Sequence, residues 1–274
     1  MSNKLTGIPD MDAVIGIMRE AAAAEIMPRF RRLGEGDISE KRPGDLVTKA
    51  DLESERRLSR ALRDLAPGSA AVGEEGADRD PDTLRALTGT APVWILDPLD
   101  GTHNFVHGKP CFAVIVAYSV GGETRAGWIH DPLADLTAWA AIGEGAWMVE
   151  GKNRQRLTAA APAAVRDMGG SLGHRLAKRL EGRNDAPART VRYGCVGREY
   201  MDLARGGLHF ARYGGRLKPW DHAAGVLIHR EAGGYGALIE GRAPYLPGDG
   251  IRTATLLLAP DAACWDALAA ALAS

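Results

Sequence analysis

Trp94-Ile95-Leu96-Asp97-Pro98-Leu99-Asp100-Gly101-Thr102-His103-Asn104-Phe105 reads as a short buried strand that runs into two acids and a turn. Val93 to Leu96 is the apolar run, and it ends on Asp97. Pro98 stops the strand, because proline has no N–H to give to a ladder. Gly101 and Thr102 then turn the chain into a short helix. Asp97 and Asp100 lie three residues apart, and like charges so placed repel. A hard divalent cation relieves that cost, since Mg²⁺ takes oxygen ligands from carboxylates and from substrate phosphate. Backbone N–H groups of Gly101 and Thr102 at a helix start suit a phosphate. The stretch predicts a metal-plus-phosphate site.

Moving outward, the C-terminal side continues as strands at Phe112 to Val120, Gly127 to His130, Thr137 to Ile142 and Ala146 to Val149. Gly143-Glu144-Gly145 is a hairpin connection, so this part is an antiparallel meander. On the N-terminal side, Met11, Val14, Ile15, Met18, Ala22, Ile26 and Phe30 recur at helical spacing, with Pro28 to kink or end the helix. Gly34 to Gly44 is polar and reads as a loop. A second helix carries Leu52, Leu58, Leu62 and Leu65. Thr48 and Asp51 before it are spaced for a capping box, which competes with any chemical role for Asp51. Ala70 to Gly73 is a short strand followed by Glu74-Glu75. Asp78 to Thr90 is a polar linker with a short helical segment.

From about Gly151 to Arg189 the composition shifts to Ala, Arg and Pro. The chain divides there into residues 1–150 and 151–274, within one compact unit. In the second part Val191 to Val196 is a strand, Arg198 to Arg205 a helix and Leu208 to Tyr213 a strand. Pro219-Trp220-Asp221 opens a helix to Ala232, stopped by Gly233-Gly234. Strands at Tyr235 to Ile239 and Ala254 to Leu258 precede a last Ala-rich helix. This alternation predicts α/β layers.

Composition limits the function classes. With 274 residues the chain can bury a large core, and a formal net charge of −1 shows no basic excess for nucleic acid or an anionic membrane. No stretch of about 18 apolar residues is present to span a membrane. The start, Met-Ser-Asn-Lys-Leu-Thr-Gly, lacks the apolar region of a signal peptide. Cys111, Cys195 and Cys264 show neither disulfide nor zinc spacing, and Cys111 reads as a core residue. A reducing cytoplasm is the expected location.

Asp51, Glu74, Asp97, Asp100 and Asp221 all stand at element ends, where a fold presents functional groups. Four blocks now resemble the inositol monophosphatase family of magnesium-dependent, lithium-sensitive sugar phosphatases. They are Asp45-Leu46-Val47-Thr48 with Asp51 and Glu55; Gly73-Glu74-Glu75; Asp97 to Phe105; and Trp220-Asp221-His222-Ala223-Ala224-Gly225 with Glu231-Ala232-Gly233-Gly234. The resemblance implies a layered α-β-α-β-α sandwich of the inositol monophosphatase and fructose-1,6-bisphosphatase type. It also implies two or three Mg²⁺ ions, a homodimer and lithium inhibition.

The resemblance further implies that Glu74, Asp97 and the Leu99 carbonyl hold one ion. Asp97, Asp100 and Asp221 would hold a second, and Glu74 would face a third. Asp51 and Thr102 would prepare the attacking water, with Glu74 also catalytic, and Gly101 and Thr102 would donate to phosphate. Glu75 would serve through water or support the loop. His103, His107 and His222 are not ligands, because Mg²⁺ prefers oxygen.

Family members acting on inositol phosphate carry a small-residue run where this chain has Gly197-Arg198-Glu199-Tyr200. They also carry an acid where an ungapped match places Gly214. Arg198, Glu199 and also Arg212 are therefore candidates to line the leaving-group pocket. The expected activity is phosphate monoester hydrolysis by direct attack of water, on an inositol phosphate-like, sugar or histidinol phosphate. The alternatives are a 3′-phosphoadenosine 5′-phosphate nucleotidase and a non-catalytic regulatory binder on the same scaffold.

Overall fold

The computed structural model describes residues 7–273. Of the opening segment read above for a leader, residues 1–6 lie outside the described residues. Helix α1 (Met11–Ala21) begins where Asp10 accepts from Ala13 N and runs into a π-helical turn over Ala22–Ile26. Strands β1 (Ile38–Arg42) and β2 (Asp45–Thr48) form an antiparallel hairpin. Helix α2 (Lys49–Leu65) follows, with Leu58 and Leu62 on its buried face. Then come β3 (Ala70–Gly73), α3 (Glu74–Arg79) and β4 (Val93–Asp100). The short helix α4 (Thr102–Val106) leads to β5 (Ala113–Val120), β6 (Glu123–Asp131), β7 (Leu136–Ala141), β8 (Gly145–Glu150) and β9 (Asn153–Arg156). Strands β3 to β9 make one seven-stranded sheet in sequence order, with β3 parallel to β4 and the rest antiparallel.

The second half supplies β10 (Gly169–Ser171), α5 (His174–Leu180), β11 (Arg189–Val191), α6 (Val196–Ala204), β12 (Phe210–Leu217), α7 (Pro219–Glu231), β13 (Tyr235–Leu238), β14 (Arg252–Ala259) and α8 (Ala262–Ala273). Its five strands order as β11-β10-β12-β14-β13. Period-two alternation sorts side chains between layers. On β4, Trp94 and Leu96 face α1 and α2, while Val93 and Ile95 face α6 and α7. On β14, Leu256 and Leu258 join that same central layer, while Leu257 and Ala259 face α5 and α8. The result is an α-β-α-β-α sandwich. Helix α7 lies between two sheets, so apolar residues surround it rather than forming one stripe. Among the described residues no helix is long and apolar enough to cross a membrane.

Close contact between layers depends on glycine. A Cβ on Gly127 of β6 would lie 2.7 Å from the Cα of Ala224 on α7. That neighbour is backbone and cannot step aside. Gly127→Ala is expected to cost about 2–3 kcal/mol, the scale of overpacking. Urea denaturation checks this, and an unchanged midpoint would contradict the packing described.

Several elements differ from the sequence reading. The supposed loop Gly34 to Gly44 contains β1, which is solvent-exposed along most of its length and so carries no apolar alternation. Pro43-Gly44 makes its turn, with Gly44 at a φ of 81°. The first helix changes form after Ala21, well before Pro28. The strand expected over Val191 to Val196 stops at Val191, and the next residues bend away to serve other groups. The compositional shift at Gly151 falls inside the β8–β9 hairpin, so the first sheet runs on to Arg156. Cys111 is half-buried rather than a core residue.

Candidate active site

Strand register places the first two acids. Gly73 pairs with Leu96 in the parallel β3–β4 ladder, so the next residues, Glu74 and Asp97, leave the sheet side by side. Gly73 is required there because a Cβ would collide with the Glu55 carboxylate. Glu55 in turn accepts from Glu75 N at 2.8 Å and Gly76 N at 2.7 Å, anchoring the start of α3. Residues 97 and 100 would face opposite sides of a regular strand. A β-bulge between them, opposite Ile115 and Ala113, adds one residue and turns both acids to one side. Leu99 N closes onto Asp97 Oδ1 at 3.0 Å.

Helix α7 brings Asp221 in its first turn. Glu74, Asp97 and Asp221 then offer carboxylate oxygens that all lie within 4.8 Å of one another. Burial first, then repulsion from Glu74, Asp100 and Asp221, pushes the Asp97 carboxyl well above its ordinary range. Burial and Glu74 do the same to Asp221, against the pull of Lys218. An all-oxygen cluster destabilised by its own charge fits a hard divalent cation.

Asp100 is placed differently. Its Oδ2 accepts from Cys195 Sγ at 3.0 Å and Gly197 N at 2.6 Å, and its Oδ1 from Val196 N at 3.1 Å. It therefore ties the β4 bulge to the start of α6. Burial still raises its carboxyl, against the lowering effect of those three donors.

Asp51 does two jobs at once. Its Oδ2 accepts from Thr48 N at 2.8 Å and Thr48 Oγ1 at 2.5 Å, completing the capping box of α2. Its Oδ1 lies 2.9 Å from Thr102 Oγ1. That hydroxyl is also 2.9 Å from the Leu99 carbonyl, and its single proton can serve only one of them. Burial pushes Asp51 up to about 6, against the bonds from Thr48 and Thr102. Gly101 takes a φ of 91° at the cap of α4, so the N–H groups of that first turn are free of i−4 partners.

Two lysines went unread in the sequence. Lys218 Nζ lies 2.7 Å from Glu74 Oε1. Lys41, on the exposed hairpin, reaches Glu75 at 3.0 Å, Asp78 at 2.8 Å and Glu74 at 3.7 Å. Burial opposes both ammonium charges but the surrounding acids outweigh it. The one signal for them in the sequence is the set of five acids at element ends, Asp51, Glu74, Asp97, Asp100 and Asp221, which calls for compensating positive charge. Cys195 and the Asn104 amide, which donates to the carbonyls of Cys111, Tyr193 and Gly194, had no signal at all.

A cavity of about 350 Å³ opens beside Asp100 and Asp221, and Glu199 and Arg212 are among the residues that line it. Arg198 does not line it. It lies on another face of α6, 3.4 Å from Asp131 and 3.3 Å from Asp202. Burial pushes Glu199 up to about 7, partly offset by Ser171 and Tyr213 beside it. His222 is buried against Tyr200 Oη at 3.1 Å, and burial lowers it to about 3. His103 and His107 are exposed and stack on each other at 4.2 Å.

These shifts have a measurable consequence. A carboxyl that ionises at about 6 instead of 3.8, as Asp51 does, or at about 7 instead of 4.5, as Glu75 does, binds more protons folded than unfolded. Its contribution to stability in chelator declines as pH rises through those windows. Buried His222 and His229, lowered to about 3 and about 4, act with opposite sign up to about 6.5, but equally with and without cation. Mg²⁺ needs ionised carboxylates, and burial with mutual repulsion raises Asp97 and Asp221 in the cluster as well. The difference in Tm between Mg²⁺ and EDTA is therefore expected to widen from pH 5 to pH 8. A pH-independent difference contradicts cation binding at Glu74, Asp97 and Asp221.

The model of the inositol monophosphatase family matches residues 10–272. A fructose-1,6-bisphosphatase/inositol-1-monophosphatase of Thermotoga maritima is 33% identical over 213 residues, 73% of this chain and 75% of that protein. An inositol-1-monophosphatase of Bacillus subtilis is 35% identical over 210 residues, 73% and 74% of the two chains. The solved structure of a Thermotoga maritima IMPase superposes with a TM-score of 0.79 at 26% identity, over 96% of each chain. The chain belongs to the inositol monophosphatase family of phosphomonoesterases.

Proposed function

We propose that the protein hydrolyses the phosphate ester of a small metabolite with the help of Mg²⁺, by direct attack of water. The observation that carries this reading is the convergence of Glu74, Asp97 and Asp221 within 4.8 Å, beside the Asp51–Thr102 pair at 2.9 Å. Glu74, Asp97 and the Leu99 carbonyl would hold one ion. Asp97, Asp100 and Asp221 would hold a second, and Glu74 would face a third. Bound Mg²⁺ supplies charge to offset the phosphoryl oxygens and acidifies water. Asp51 receives the proton of the attacking water through the Thr102 hydroxyl. Gly101 and Thr102 N–H groups orient the phosphate, and Glu199 stands against the leaving group. A homodimer and a cytoplasmic location belong to the same proposal, the latter supported by three unpaired cysteines.

Phosphate release from a panel of esters tests it, with Mg²⁺ titrated against EDTA. Histidinol phosphate, inositol 1-phosphate, fructose 1,6-bisphosphate and 3′-phosphoadenosine 5′-phosphate make up the panel. Release should require Mg²⁺. A folded protein that Mg²⁺ stabilises but that releases nothing would instead be a binder. Light scattering tests the dimer.

A further inference from the structure

The cavity beside Asp100 and Asp221 has two unlike ends. Its inner end is acidic, with Glu199 and Asp100 both buried. Its rim carries Arg192, Arg212 and Arg216. Arg192 and Arg216 are exposed and Arg212 is half-buried. Among the described residues none of the three has an ion pair within 4.0 Å. By contrast, Arg198, also close to this stretch, is neutralised by Asp131 and Asp202.

Local structure explains how the rim is presented. Strand β10 ends opposite Ala211, so β12 beyond that residue has no neighbour on that side. Residues 212, 214 and 216 share one face of this bare edge. Gly214 keeps the face open. A Cβ there would lie 3.4 Å from Arg212 Nη1, so the guanidinium rests in the space the glycine leaves. Arg212 Nε is buried and has no hydrogen-bond acceptor. Burial works against the Arg212 charge, Glu240 offsets this only through space, and an anion at the half-buried guanidinium would favour it. Guanidinium groups suit phosphate and carboxylate, which accept two parallel bonds. The volume lies within the range of small-molecule sites, about 300–1,000 Å³.

We propose that the ester hydrolysed here carries a second anionic group on its leaving part, which Arg212 binds at the rim with Arg192 and Arg216. This rests on the phosphomonoesterase reading for the reacting phosphate at the inner end. The alcohol released would keep the second anion and would bind the rim without any metal.

Binding is therefore measured in EDTA by calorimetry, with fructose 6-phosphate against fructose, and glycerate as the carboxylate arm. Fructose 6-phosphate should bind and fructose should not. Arg212→Gln should weaken that binding about tenfold, the loss expected for one charge-assisted contact. With Mg²⁺, the kcat/KM ratio of fructose 1,6-bisphosphate to inositol 1-phosphate should fall about tenfold in the same variant. Glycerate binding in place of fructose 6-phosphate would make the second anion a carboxylate and sustain the proposal. Equal binding of fructose and fructose 6-phosphate, with neither ratio nor affinity moved by Arg212→Gln, overturns it. If no ester is hydrolysed but fructose 6-phosphate still binds through Arg212, the anion site stands and the phosphatase reading falls.

Discussion

Asp97→Asn should lower kcat/KM by about a thousandfold, the scale of losing a principal electrostatic contributor at a reacting phosphate. Asp97 is 3% exposed and shares its pocket with Glu74 and Asp221. Asparagine keeps its shape and its oxygen for the Leu99 N–H. It removes the charge that both proposed ions use. The same charge is opposed by burial and by its neighbours in the absence of metal. The variant should therefore melt higher than the wild type in EDTA at pH 8, and gain less from Mg²⁺. Activity lost together with metal-free stability gained is a signature that a merely unfolded variant cannot give. Near-normal turnover at moderate Mg²⁺ would count against the bridging role.

Thr102→Val should cost about a hundredfold to a thousandfold in kcat, the usual worth of a positioned proton acceptor and its relay. Valine matches threonine in shape, so the fold should be little changed. Asp51→Asn should lose as much activity and also weaken the cap of α2 by about 0.5–1 kcal/mol. The double variant should be scarcely slower than the worse single one, because the two groups act as a unit. Single-turnover rates and urea midpoints on the three proteins check both statements. Additive losses would show that Asp51 and Thr102 serve separate steps.

The layers and the acids were legible for a common reason. Trp94 to Leu96 and Ala254 to Leu258 alternate between two apolar faces, and the site acids sit where strands β3 and β4 end or in the first turns of α2 and α7. Asp51 illustrates a limit of that reading. Capping box and chemical role looked like rivals, yet the two carboxylate oxygens divide the work. Arg198 and Glu199 show another. Neighbours on a helix differ by roughly 100° in direction, and only packing decides which one meets the cavity. The polar hairpin β1–β2 and the three-residue β10 gave no periodic signal to read. Lys41, Lys218 and Cys195 join the site through tertiary contacts alone, from positions up to 144 residues away.

Asp100 makes the two halves of the chain thermodynamically linked. The same carboxylate that would share an ion with Asp97 also holds the first amides of α6, the helix that carries Glu199. Any ion that withdraws charge from Asp100 changes the grip on that helix. Linkage is reciprocal, so a leaving group seated against Glu199 must alter ion affinity by the same factor by which the ion alters its own. Mg²⁺ dependence measured with two different esters should then give two different half-saturating concentrations. The cation requirement becomes a property of the substrate as well as of the protein.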